Sequence, residues 1–139
     1  MADKRRARGN AYQDKIEKWL VARGWSVHNQ KTVSRAIPMK GKVVWVSARN
    51  DILAMDLVAV KPGRKTLFVQ TTMDTGVAKR ATEAAAIGWE LQHQDIMLFQ
   101  KTDPRITVIQ QWDGAAYNEV GRIIGGNLYV SKPGGWLEL

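Results

Sequence analysis

Residues 50–60 read Asn50-Asp51-Ile52-Leu53-Ala54-Met55-Asp56-Leu57-Val58-Ala59-Val60, and after Lys61-Pro62-Gly63-Arg64-Lys65 the chain continues Thr66-Leu67-Phe68-Val69-Gln70-Thr71-Thr72. The flanking runs are apolar and β-branched, and the Pro-Gly pair between them is turn chemistry, so the segment predicts two buried strands paired antiparallel. Each run carries one oxygen-bearing side chain, Asp56 in the first and Gln70 in the second, and the pairing is expected to set them near each other. An unpaired carboxylate inside such a strand costs several kcal/mol, so something must offset it. A divalent metal ion is the expected partner. The plainer alternative is a carboxylate capped by backbone amides at a strand end, with Gln70 as its hydrogen-bond partner.

Working outward, the chain has 139 residues, enough for one domain with a single core. It holds 21 Lys plus Arg against 13 Asp plus Glu, a formal net charge of +8. That excess on a chain of ordinary hydrophobic content points to polyanions, nucleic acid first among them. No apolar stretch approaches the roughly 20 residues that span a bilayer, and the basic residues are not gathered on one amphipathic helix, so a membrane partner is not expected. The basic opening lacks the apolar region of a secretory signal. With no cysteine, disulfides, thiolate zinc sites and a cysteine nucleophile are excluded, and a cytoplasmic setting is expected. Two histidines, His28 and His93, are too few for a histidine-built metal site.

Residues 1–9, with Lys4, Arg5, Arg6 and Arg8, read as a flexible basic arm ending in a Gly9-Asn10 helix cap. Tyr12, Ile16, Trp19 and Leu20 then fall at the spacing of an amphipathic helix over 11–23, stopped by Gly24. Gln13 and Glu17 sit beside its apolar stripe, where a helix can lend a ligand to a neighbouring sheet. Residues 25–28 predict a short strand. Between Ser26 and Asn50 lie Lys31, Arg35, Lys40, Lys42 and Arg49 with no acidic residue, around the strand-like 43–46, a basic loop or hairpin fitted to a phosphate backbone. Val77 to Leu91 predicts an Ala-rich helix with Lys79 and Arg80 in its first turn, where cations oppose the helix dipole and can meet an anion. Strands follow at 96–99 and 106–109, and the tail from Trp112 to Leu139 predicts a hairpin of 122–124 with 128–130.

The order α-β-β-β-α-β-β, with Arg8-Gly9-Asn10-Ala11-Tyr12-Gln13, Asp56-Leu57-Val58-Ala59 and Gln70-Thr71-Thr72, resembles the PD-(D/E)XK nuclease superfamily over about residues 8–100. The nearest likeness is to archaeal-type Holliday-junction resolvases and their phage and mobile-element relatives. That family places an acid on the first helix, an Asp in a strand of this form, and Glu-x-Lys at the end of the next strand. Here Gln13, Gln70 and Thr72 stand at the positions of the helix acid, the second carboxylate and the lysine. The wording resembles a branch in which Gln-x-Thr replaces Glu-x-Lys.

The resemblance implies an α/β restriction-endonuclease-like core, a central mixed sheet flanked by helices, and hydrolysis of DNA phosphodiester bonds with Mg2+ or Mn2+. Branched DNA is its implied substrate class, with no organic cofactor. Cutting both strands symmetrically needs two sites, hence an expected homodimer. Magnesium takes oxygen ligands and keeps several waters, so Asp56, the Gln70 amide oxygen and the Thr71 carbonyl are expected to suffice, with Asp51 and Gln13 as further ligands and Glu17 or Asp74 as alternative carboxylates. Catalytic roles fall to Asp56, Gln70 and Thr72, with Lys79 or Arg80 standing in for the missing lysine. Nucleic-acid contact is expected from Arg5, Arg6, Arg8, Lys31, Arg35, Lys40, Lys42 and Arg49. Two other readings stand beside this one: a nuclease-fold DNA-binding protein without catalysis, and a basic RNA-binding protein with a structural Asp56.

Overall fold

Thr66–Met73 forms the central strand, labelled β5 below, and it is buried along nearly its whole length. A strand covered on both faces needs no polar alternation, which is why 66–72 reads as a continuous apolar and Thr-rich run. The computed structural model describes residues 2–29, 32–39, 41–49, 54–73, 76–131 and 139, with side chains for 8–29, 41, 54–73, 76–131 and 139. In chain order the elements are α1 (Ala2–Ala22), β1 (Ser26–Asn29), β2 (Thr32–Met39), β3 (Lys42–Arg49), β4 (Leu57–Val60), β5, α2 (Val77–Ala85), β6 (Gln94–Asp103), β7 (Ile106–Trp112), β8 (Tyr117–Ile124) and β9 (Asn127–Val130).

Seven strands make one mixed sheet in the order β1-β4-β5-β6-β7-β8-β9, and β2 and β3 pair with each other as a separate hairpin. The fold is α/β. All neighbours in the sheet are antiparallel except β5 and β6, which run parallel through the α2 crossover. One face of the sheet packs on α1 through Tyr12, Ile16 and Leu20 against Leu57, Leu67, Val69, Met97 and Phe99. The other face buries Met55, Phe68, Ile96 and Trp112 with Ala84 of α2.

Several expectations are corrected. The supposed arm 1–9 is helical from Ala2, because Ala, Lys and Arg are strong helix formers and one Gly at position 9 costs only about 1 kcal/mol. The helix after β5 ends at Ala85 and not near Leu91: Trp89 leaves it to stack on Phe68, ring centroids 5.0 Å apart, and its indole N–H donates to the Ala84 carbonyl at 3.2 Å. The first strand of the central pair starts at Leu57, so Asp56 stands just ahead of it. Among the described residues there are nine strands where the segments read as strands number eight, the addition being 32–39, while the expected tail hairpin is present as β8 and β9. That tail is part of the main sheet, with β8 paired along β7 from Tyr117 to Ile124.

Candidate functional site

The period-2 geometry of β5 sorts its polar residues onto two sides. Thr71 shares the α1 face with Leu67 and Val69, while Gln70 and Thr72 share the α2 face with Phe68. Asp56 sits between. The β4–β5 ladder closes with the Asp56 N–H donating to the Val69 carbonyl at 2.8 Å. One step further along β5, the Asp56 side chain takes over from its backbone: Oδ2 accepts from the Thr71 N–H at 2.7 Å and from the Thr71 hydroxyl at 3.2 Å. The carboxylate is only 5% exposed, and hydrogen bonds to a charged acceptor, worth about 1.5–3 kcal/mol each, offset much of its desolvation.

From α1, the Gln13 amide nitrogen donates to the Asp56 carbonyl at 3.1 Å and to Asn29 Oδ1 at 2.7 Å, and Asn29 in turn donates to Asp14 at 2.9 Å. Gln13 therefore fixes the backbone that carries the carboxylate. Helix, β1 and the start of β4 are tied at one point by these bonds.

On the other side, Gln70 is completely buried and both ends of its amide are engaged. Its oxygen accepts from the Tyr117 hydroxyl at 2.6 Å, and its nitrogen donates to the Ala54 carbonyl and to Glu83, each at 3.2 Å. Glu83 also pairs with Arg80 at 3.2 Å. The plainer alternative thus holds in one half and not the other: a backbone amide, that of Thr71, caps the Asp56 carboxylate, while Gln70 bonds Tyr117 in place of Asp56. The two side chains part because Asp56, being ahead of β4, turns toward the β5 backbone edge. Burial pushes the Tyr117 hydroxyl well above its ordinary pKa. The Arg80 charge acts against that shift, and the Glu83 and Asp56 charges add to it. Arg80, Glu83 and Asp56 accordingly all act on one hydroxyl.

Two backbone features frame the centre. Ala54 adopts φ 63°, a left-handed conformation unusual for a residue with a Cβ, and its carbonyl is the one Gln70 holds. Thr72 lies against Gly76, the residue that opens α2, and a Cβ at Gly76 would overlap the Thr72 hydroxyl. Thr72 therefore seats the start of α2.

The structure brings together Asp56, Thr71 and Gln13, and places Gln70, Thr72 and Arg80 on the adjoining side. Lys79 is exposed on the first turn of α2, and Arg8 is exposed on α1. Asp51, Asp74, Lys31 and Lys40 lie outside the described residues, as do the side chains of Arg5, Arg6, Arg35, Lys42 and Arg49. His28 and His93 are exposed. Sequence reading missed Glu83 and Tyr117. The i, i+3 spacing of Arg80 and Glu83 was a signal for the first; Tyr117 is 47 residues from Gln70 and carried none.

Among the described residues no three His, Cys, Asp or Glu side chains converge. Asp56 and Thr71 bond to each other on one side of β5, while the Gln70 and Glu83 oxygens are held by Tyr117 and Arg80 on the other, so a hard cation at Asp56 would meet one carboxylate and would take most of its ligands from water. No helix of the described residues is long and apolar enough to cross a membrane. Comparison with protein-family models, with curated proteins and with solved structures finds no match to this chain.

Proposed function

We propose that this protein is a Mg2+- or Mn2+-dependent DNA endonuclease with a restriction-endonuclease-like core, acting in the cytoplasm as a homodimer on branched, junction-like DNA. The observation that carries the reading is the buried Asp56 carboxylate, anchored to Thr71 where β4 and β5 stop pairing, in a chain of net charge +8. Asp56 would hold the ion, with DNA phosphate adding the negative charge that a single carboxylate lacks. The bound ion would supply a water acidic enough to attack phosphorus and would offset the charge that develops there. Thr71 and Gln13 fix the Asp56 side chain and backbone, and Arg80 offers a cation beside the centre.

A second reading, a DNA-binding protein without hydrolysis, is favoured by one arrangement. The Gln70 oxygen is held by Tyr117 and the Glu83 carboxylate by Arg80, so these oxygens are satisfied within the protein. Incubation of the full chain with labelled four-way and duplex DNA, with and without Mg2+ or Mn2+, separates the two. The enzyme reading expects metal-dependent nicking that falls by roughly a thousandfold or more in Asp56→Ala, about 4 kcal/mol of barrier. DNA binding with no cleavage under any divalent ion would leave only the second reading.

A further inference from the structure

Two recesses adjoin along α1, and cations line both. The first, about 310 Å³, lies between Arg8, Tyr12 and Lys15 of α1 and Met73 and Lys101 at the ends of β5 and β6. The second, about 500 Å³, continues from the same Lys15 past Lys18 to Arg105 in the β6–β7 turn. Tyr12 lines the first and Thr107 the second, and the two are joined by a buried hydrogen bond between their hydroxyls, 2.9 Å.

Arg8, Lys15 and Lys18 recur at intervals of seven and three residues, so they share one side of α1. At 1.5 Å per residue they extend over roughly 15 Å, the axial rise of about four base pairs at 3.4 Å each and the reach of two to three successive phosphates of one strand. None of Arg8, Lys15, Lys18, Lys101 and Arg105 forms a side-chain ion pair among the described residues. The nearby acids are turned elsewhere. Asp14 is bound by Asn29, Glu17 lies roughly 200° around the helix from Lys15, and Asp103 accepts from the Arg105 backbone N–H at 3.0 Å. Cations brought together from two separate parts of the chain, with no acid paired to them among the described residues, offer a polyanion several contacts along one surface. Met73 lies two residues beyond Thr71 on β5, so this row starts beside Asp56.

We infer that Arg8, Lys15, Lys18, Lys101 and Arg105 form a phosphate track that grips one strand of DNA and leads its backbone toward Asp56. The track rests on the nuclease-fold reading for its ligand and adds the residues that hold it. Its four members beyond Arg8 were not among the cations singled out in the sequence, because α1 and β6 bring them together only in the folded chain.

The test is the salt dependence of affinity for a fluorescent DNA duplex, measured on the full chain with Ca2+ in place of Mg2+. Each lost phosphate contact lowers the slope of log K against log salt by about 0.9. Lys15→Gln with Lys101→Gln should therefore lower it by about 1.8, so that the gap from wild type narrows roughly twelvefold between 50 and 200 mM salt. Lys65→Gln, a control at a lysine paired with Asp95, should leave the slope unchanged. Lys15→Glu, checked for an unaltered melting temperature, should weaken binding further. Tight DNA binding with an unchanged slope in both track variants overturns the track and spares the DNA reading. No DNA binding by wild type at 20 mM salt overturns both. Tighter binding of duplex RNA, lost in the same variants, overturns DNA as the ligand.

Discussion

A single phenol holds the amide at the heart of this molecule. Tyr117 donates to Gln70 within a buried setting, so Tyr117→Phe leaves the Gln70 oxygen without its donor at a cost of about 1–3 kcal/mol. Urea denaturation should show that loss, and a double-mutant cycle with Gln70→Leu should give a coupling of at least about 1 kcal/mol; additive losses would mean that the two groups are independent. Asp56 was legible in the sequence because a charge in an apolar run has few physical explanations. A backbone-amide cap for it was legible as the plainer alternative, but not which residue supplies it. Thr71 and Gln70 are adjacent, and only the point at which β4 ends determines which of them the carboxylate meets.

The joint between β5 and α2 is set by packing rather than by a capping side chain, since Gly76 opens the helix with no side-chain cap bond. Gly76→Ala places a methyl against Thr72 and should cost about 1–3 kcal/mol, read as a fall in melting temperature. Thr72→Ala in the same chain should recover most of it. Failure to recover would show that the glycine is needed for its backbone alone. Elements with a strong local pattern were legible: the central pair, the 3.6-residue stripe of α1, and the β8–β9 hairpin with its Gly125-Gly126 turn. Their ends were not. The start of α1 depends on seven residues that lack an apolar stripe but favour helix, and the end of α2 depends on Trp89 finding Phe68 on the same face of the sheet. The face on which Gln70 lies was hidden because a strand buried on both sides has no polar alternation to report it.

Across the whole molecule, one buried and one half-buried phenol give the fold an alkaline limit. Burial raises the Tyr12 hydroxyl to about 12, against a smaller opposing effect of its bond to Thr107, and burial raises Tyr117 as well. Both folded values exceed the unfolded value near 10, so the stabilisation is fully present below about pH 10 and is lost as pH rises through the folded values, for Tyr12 between about 10 and 12. Urea midpoints of wild type should fall more steeply than those of Tyr12→Phe from pH 10 to 11.5, and parallel curves would contradict the shift. The clamp on Gln70 has one more consequence, which concerns synthesis. Its hydroxyl arrives 47 residues after the amide, from the eighth strand. A nascent chain that has left the ribosome only as far as β6 carries its acid with the partners that fix it, but its amide without the hydroxyl that holds it. The centre is therefore completed only when β8 is laid on the growing sheet.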